Sequence, residues 1–248
     1  MNNRARQMNP NVPDFRFGVV APMQCLKEGW AAISDRYWLF LGMSLLWMLI
    51  AQAVPIVLMG PMTCGLYFCL LRQMRNEPVD FGMLFKGFDF FLPSLIAALI
   101  QMVPVFIIVM PMTAIFFIFG IVVTPRGANN EGPPLIFFLG LIVFVLVMML
   151  AVFLVTMLFV FAYPLVVDKN LSGVDAVKTS VKAAWQNLGG LFGLLLLNFG
   201  LGILGVLACY VGAFFIMPIN FASHAAAYRR VFGDVQPLPT MPPPPPVW

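Results

Sequence analysis

The chain has 248 residues, of which 61% are hydrophobic and 10% charged, with a formal net charge of +4 and a mean hydropathy of +0.94. Soluble domains run near roughly 45–50% apolar and about a quarter charged, and a water-soluble globule of this size cannot hide so much apolar surface. The composition excludes a soluble enzyme, a disulfide-stapled secreted domain and a disordered polypeptide. It points to an all-α, multi-pass transmembrane helical bundle.

From the N-terminus, residues 1–21 carry Arg4, Arg6, Asp14 and Arg16 with no uninterrupted apolar run and no small-residue cleavage site. They read as a cytoplasmic segment ahead of an uncleaved first anchor. The bundle is expected over 22–230 and a proline-rich cytoplasmic tail over 231–248. Four windows within the bundle, 37–71, 90–125, 132–167 and 183–228, contain no Asp, Glu, Lys or Arg. Each exceeds the ~20 apolar residues that a helix needs to cross a hydrocarbon core. The last is long enough for two passes.

Basic residues favour cytoplasmic loops. If the first and last windows each go in and come back, all 14 Lys and Arg except Arg126 fall on the inner side. One crossing per window spreads them almost evenly. The asymmetric arrangement predicts six membrane segments, near 37–58, 61–75, 90–119, 135–163, 188–208 and 210–228. Both termini are then cytoplasmic, as in a bacterial inner membrane. Gly60-Pro61 is expected to break the first window, because proline cannot continue the helix before it. Segment 61–75 is short, so the first pair is either a full crossing or a re-entrant hairpin with the same sidedness. The stretch 90–123 is long, and Pro104 and Pro111 are expected to kink or divide it.

A short charged stretch with helical periodicity precedes each membrane pair. In 22–37 the apolar stripe is Met23, Leu26, Trp30, Ile33 and Tyr37. In 172–188 it is Val174, Val177, Val181, Trp185 and Leu188, behind an N-cap formed by Ser172 with Asp175 at the third position. The middle stretch, 79–91, is less regular and puts Phe81, Leu84, Phe85 and Phe88 on one face. Three interfacial amphipathic helices are thus expected, each ahead of a hairpin, in a threefold plan. Trp sits at the headgroup level and lysine stems snorkel to anionic lipid. Lys27, Trp30, Lys86, Lys178, Lys182 and Trp185 are therefore the expected lipid-headgroup contacts.

Gly60-Pro61 with Gly65-Leu66-Tyr67, then Arg75-Asn76-Glu77, Asp80 and Leu84-Phe85-Lys86-Gly87-Phe88, resembles a broad superfamily of bacterial integral membrane proteins. That group includes the membrane region preceding some glycerophosphodiester phosphodiesterases. Tyr163-Pro164 to Asp168, with Ala176-Val177-Lys178-Thr179-Ser180, is similar to its second recurring segment. The resemblance covers roughly residues 20–230. It implies a six-helix membrane fold and no catalytic residue, and no phosphodiesterase domain follows the bundle here.

Charged groups kept at mid-bilayer mark functional pathways, and these windows keep none. The uncharged polar candidates are Gln52, Gln101, Thr113, Thr156, Asn198 and Asn220. Helix-to-helix hydrogen bonding is the ordinary role for such groups; Gln52, Gln101 and Asn198 are the candidates for lining a cavity. His224, the single histidine, reads as packed or interfacial near Arg229-Arg230. No metal centre or other cofactor is expected from one histidine and four scattered cysteines. Cys25, on an interfacial helix, is a palmitoylation candidate, and Gly189-x-x-x-Gly193 a small-residue contact motif. There is no Walker loop, dinucleotide fingerprint or HExxH, and the net charge suits anionic lipid rather than nucleic acid. The tail QPLPTMPPPPPVW should form an extended polyproline helix, with Pro242, Pro243, Pro244, Pro245 and Pro246 able to dock a cytoplasmic partner.

These residues favour a non-enzymatic protein that organises membrane or recruits partners, which fits the collar and the tail. The alternative is a transporter or channel for lipid or a neutral solute, which fits the proline-broken segments, and a water-accessible cavity near Gln101 or Asn198 would favour it. A membrane enzyme lacks any visible acid–base or nucleophile–base set. The topology is open to a direct check. Cysteines introduced near Arg75 and near Asn129 should be labelled from opposite sides of the membrane, with only the second reached from outside; external labelling of both would refute the arrangement.

Overall fold

The computed structural model describes residues 15–53, 55–123, 135–208 and 211–233. These form helices α1 (Pro22–Ile33), α2 (Tyr37–Ala53), α3 (Pro55–Met74), α4 (Phe91–Val123), α5 (Leu135–Phe159), α6 (Ala162–Lys169), α7 (Gly173–Gln186), α8 (Leu188–Leu207) and α9 (Val211–Phe232), with a 3₁₀ segment at Phe81–Phe90. No strand occurs among the described residues. Four helical stretches, Phe81–Val122, Leu135–Lys169, Leu188–Leu207 and Val211–Phe232, are long and apolar enough to cross a membrane.

Local chemistry sets several of the boundaries. Proline suits the first turn of a helix, where its missing N–H is not needed, and both α1 and α3 begin on one. The Asp80 carboxylate accepts from the Met83 amide at 3.1 Å and opens the 3₁₀ segment. The Ser172 hydroxyl accepts from the Asp175 amide at 3.2 Å and opens α7, as its capping pattern predicts. Asn76, Asn170 and Gly233 follow the ends of α3, α6 and α9 with φ of 58°, 50° and 71°. Asparagine and glycine tolerate this left-handed conformation best, which makes them effective helix terminators.

The prolines behave differently from expectation. α2 is described to Ala53 and α3 from Pro55, and α3 continues through Gly60 and Pro61. Gly60 serves contact instead of a turn: a Cβ there would sit 2.8 Å from the Ser94 carbonyl oxygen of α4. Likewise α4 continues through Pro104 and Pro111 as one helix of 33 residues, about 50 Å at 1.5 Å per residue. Each proline removes one backbone donor, and the flanking turns carry the helix across that gap.

The three segments pack closely on neighbouring helices, α1 and the 3₁₀ segment where side-chain bulk is missing and α7 through a hydroxyl. A Cβ on Gly29 of α1 would lie 2.7 Å from the backbone of Ala222 and Ser223 in α9. One on Gly87 of the 3₁₀ segment would lie 2.0 Å from the Pro61 carbonyl oxygen and 2.4 Å from the Gly65 nitrogen of α3. In α7 the Ser180 hydroxyl donates to the Leu158 carbonyl at 2.8 Å and accepts from the Phe161 amide at 3.2 Å, filling the break between α5 and α6.

This packing splits the expected stripes. α1 buries Cys25, Gly29 and, from its stripe, Ile33, while Met23 and Trp30 remain 53% and 46% exposed. α7 buries Gly173, Ala176, Ser180, Ala183, Ala184 and, from its stripe, Val177, and Trp185 stays 67% exposed. Burial also removes Cys25 from a palmitoylation role, since its thiol is fully enclosed and burial raises its pKa.

The densest core lies beside these segments. Phe40, Met43, Leu66, Leu70, Leu84, Phe161, Leu165, Leu191, Leu194 and Tyr228 are all fully buried there. Farther out, α4 and α5 pack on each other, with the Phe116 and Phe144 rings stacked at 4.4 Å, and turn most of their apolar side chains outward. Replacing Gly87 by Ala should cost at least the ~1–3 kcal/mol of an overpacked core, because the added carbon meets backbone. Gly189→Ala, where nothing lies within 4 Å, should be neutral or mildly stabilising. Thermal unfolding of the two variants in detergent checks the contrast.

Candidate ligand groove between α5, α8 and α9

Helical periodicity sets up the groove. Leu195, Asn198, Phe199, Gly202, Ile203 and Val206 recur at spacings of three and four and line one face of α8. Ala213, Asn220 and His224 do the same on α9, and Met149 and Phe153 project from α5. Together with Leu207 they surround an open groove of about 610 Å³. A smaller apolar hollow of about 180 Å³ adjoins it and shares Met149, Phe153 and Phe199. None of the residues lining either space is charged.

The polar groups gather midway along α8 and α9. The Asn198 amide nitrogen lies 2.9 Å from Ser223 Oγ and 3.0 Å from His224 Nε2. Ser223 in turn donates to the Asn220 backbone carbonyl at 2.8 Å. The Asn220 side-chain oxygen is buried and has no hydrogen-bond partner. A buried unpaired acceptor costs on the order of 1–3 kcal/mol, which singles this position out from ordinary packing.

Of the expected cavity-lining residues, the structure puts Asn198 in this groove. Gln52 is exposed on α2. Gln101 lies apart, accepting from the Tyr163 hydroxyl at 3.2 Å between α4 and α6. Thr113 and Thr156 bond back to carbonyls of their own helices. His224, expected in a packed or interfacial position, packs against Asn198 and also lines the groove. The i, i+4 spacing of Asn220 and His224 was the available signal, masked by the nearness of Arg229 and Arg230 in sequence. Among the described residues no group of His, Cys, Asp or Glu could hold a metal.

The six headgroup candidates, Lys27, Trp30, Lys86, Lys178, Lys182 and Trp185, are all exposed. Lys86 also lies 5.9 Å from the Phe68 ring and Lys182 lies 6.0 Å from the Phe15 ring. Pro242 to Pro246 lie outside the described residues.

A second, larger space of about 750 Å³ opens where α1 passes the ends of α3 and α9, lined by Arg16, Glu28, Asp35, Gln73, Asn76 and Arg230 among others. Glu28, Arg229 and Arg230 of this space hold the fold together. Arg230 grips the Glu28 carboxylate through two bonds of 3.0 and 2.5 Å, and Arg229 donates to the Met74 carbonyl at 2.9 Å. Nearby, Asp168 is buried to 1% side-chain exposure, pairs with Arg75 and Lys169, and accepts from the Tyr228 hydroxyl at 2.8 Å. These bonds tie α3, α6 and α9 together.

No family model matches the chain, and no solved structure matches it. Among curated proteins, the uncharacterised protein Rv2560 of Mycobacterium tuberculosis and the uncharacterised protein Mb2590 of Mycobacterium bovis are each 31% identical to it over 88 residues. The aligned stretch makes up 36% of this chain and 27% of each relative, so the chain spans about a quarter of the length of the proteins it matches. Neither relative carries a described activity.

The hydrogen bonds from Arg230 hold the Glu28 carboxyl below the usual carboxylate range. A lowered pKa stabilises the fold above the ordinary value, and the effect is lost as pH falls through the lowered one. The gap in unfolding temperature between the native chain and Glu28→Gln should therefore be open at neutral pH and close below about pH 4. A pH-independent gap would show that the pair contributes nothing through charge.

Proposed function

We propose that this chain is a six-segment integral membrane protein with both termini on the cytoplasmic side, and that it binds and carries a lipid or other neutral amphiphile. In this arrangement α2 with α3, α4 with α5, and α8 with α9 form three hairpins. α1, the 3₁₀ segment and α7 lie at the inner membrane surface. The groove between α5, α8 and α9 carries the reading: it is apolar, open and uncharged, with its polar groups collected midway along the two flanking helices. A cavity near Asn198 is the feature that separates transport from pure organisation of membrane.

The chemistry supports such a ligand. Apolar walls suit an alkyl chain, and a few convergent polar groups fix orientation, which is the common plan of small-molecule sites. With no counter-charge in the groove, an ionised headgroup would lose its hydration without compensation. A neutral one loses far less. The exposed collar of Lys27, Trp30, Lys86, Lys178, Lys182 and Trp185 supports a second role, organising anionic lipid around the bundle or recruiting a partner at its inner surface.

Gly202 lines the groove and has nothing within 4 Å of its Cβ position, so Gly202→Phe should fill the space without forcing the helices apart. Native mass spectrometry of the full chain, extracted from membranes in mild detergent, should find bound amphiphile on the native protein. It should be largely lost from Gly202→Phe and retained by Gly189→Phe. Equal retention by all three proteins would overturn the proposal.

A further inference from the structure

The charged space beside α1 keeps hydrogen-bonding capacity that the fold does not use. Its volume of about 750 Å³ falls within the roughly 300–1,000 Å³ of small-molecule sites. Arg16, Arg229 and Arg230 line it against two acids, Glu28 and Asp35. Glu28 is matched by its two bonds from Arg230, and Asp35 is exposed to water. The carbonyls at the ends of α3 and α9 are also taken. Met74 accepts from Arg229 at 2.9 Å, Val231 from the Arg16 amide at 2.7 Å, and Arg229 from the Gly233 amide at 2.8 Å.

What stays unspent is chiefly donor. Arg16 is fixed through its backbone, by that bond to Val231 and by its carbonyl, which accepts from the Asn187 side chain at 3.1 Å. Its exposed guanidinium makes no hydrogen bond or ion pair among the described residues. The side-chain amides of Gln73 and Asn76, in the same lining, make none there either. We propose that this space binds a phosphate group, held by Arg16 with amide donors from Gln73 and Asn76. A guanidinium presents five N–H donors in a planar fork that matches phosphate oxygens two at a time. A cation would be repelled by the majority of arginines, and a neutral molecule gains nothing from them. Two sources carry such a group: the headgroup of an anionic phospholipid and a soluble phosphate ester. The site stands apart from the groove between α5, α8 and α9, and its test does not depend on that groove.

Equilibrium titration of the full-length protein in dodecyl maltoside uses dioctanoyl phosphatidylglycerol, its phosphate-free counterpart dioctanoylglycerol, and glycerol phosphate. Arg16→Gln removes the guanidinium. Lys27→Gln removes the same charge from α1 outside the lining. Neither side chain bonds to the fold among the described residues, so both variants should unfold at the native temperature. Phosphatidylglycerol should bind more tightly than dioctanoylglycerol, and Arg16→Gln should weaken it about tenfold, the scale of one charge-assisted hydrogen bond. Lys27→Gln should leave its affinity nearly unchanged. Glycerol phosphate binding with the same dependence on Arg16 assigns the site to soluble esters as well; binding of phosphatidylglycerol without it assigns the site to lipid headgroups. Equal binding of phosphatidylglycerol and dioctanoylglycerol, an equal effect of the two substitutions, or no binding of either phosphate probe would overturn the proposal.

Discussion

The structure depends on helices touching where side chains are absent. In lipid, association of helices draws little on the hydrophobic effect, because the acyl chains are as apolar as the side chains they would replace. Close van der Waals packing and hydrogen bonding take over. Gly29 against Ala222 and Gly87 against Gly65 meet backbone directly, and Ser180 bonds to the Leu158 carbonyl and the Phe161 amide. Each places a surface segment directly on the backbone of a neighbouring helix. The left-handed residues Asn76, Asn170 and Gly233 follow the ends of α3, α6 and α9.

That constraint reaches the groove. Gly29 presses α1 onto α9 at Ala222 and Ser223, which lie between Asn220 and His224 on the chain. From the other side Asn198 bonds to Ser223 and His224. The turn carrying the polar groups is thereby held between α1 and α8, and its orientation toward the groove follows from packing on the opposite side. The charged bonds beyond it, Glu28 with Arg230 and Asp168 with Arg75, Lys169 and Tyr228, secure the same end of α9 without placing a charge in the groove.

The amphipathic stretches show where pattern reading stops. The periodic stretches 22–37 and 172–188 contain helices α1 and α7, and the Ser172 cap gives the start of the second. Of their apolar stripes, Ile33 and Val177 are buried, whereas Met23, Trp30, Val174 and Trp185 stay exposed. The closest helix contacts are made by Gly and Ser, which a hydrophobic scale ranks low. Prolines mislead for a related reason. Gly60-Pro61 reads as a turn because proline lacks a donor, yet the pair lies inside α3, where a missing Cβ lets α4 approach. His224 reads from the sequence as packed or interfacial, and the helix crossing decides for packing against Asn198.

By itself the sequence determined the helical class, the candidate spanning stretches, the asymmetry of basic residues and the uncharged polar positions Asn198 and Asn220. These are local or compositional properties, set by hydropathy, periodicity and capping within a few turns. Only the tertiary structure decided which helices enclose a groove, that Asn198 bonds to both Ser223 and His224, and that the Asn220 side-chain oxygen has no partner among the described residues. Those facts depend on the crossing of α8 and α9 and the distance to α5. Contacts of that kind arise from the way separate helices fit together, which no stretch of sequence contains alone.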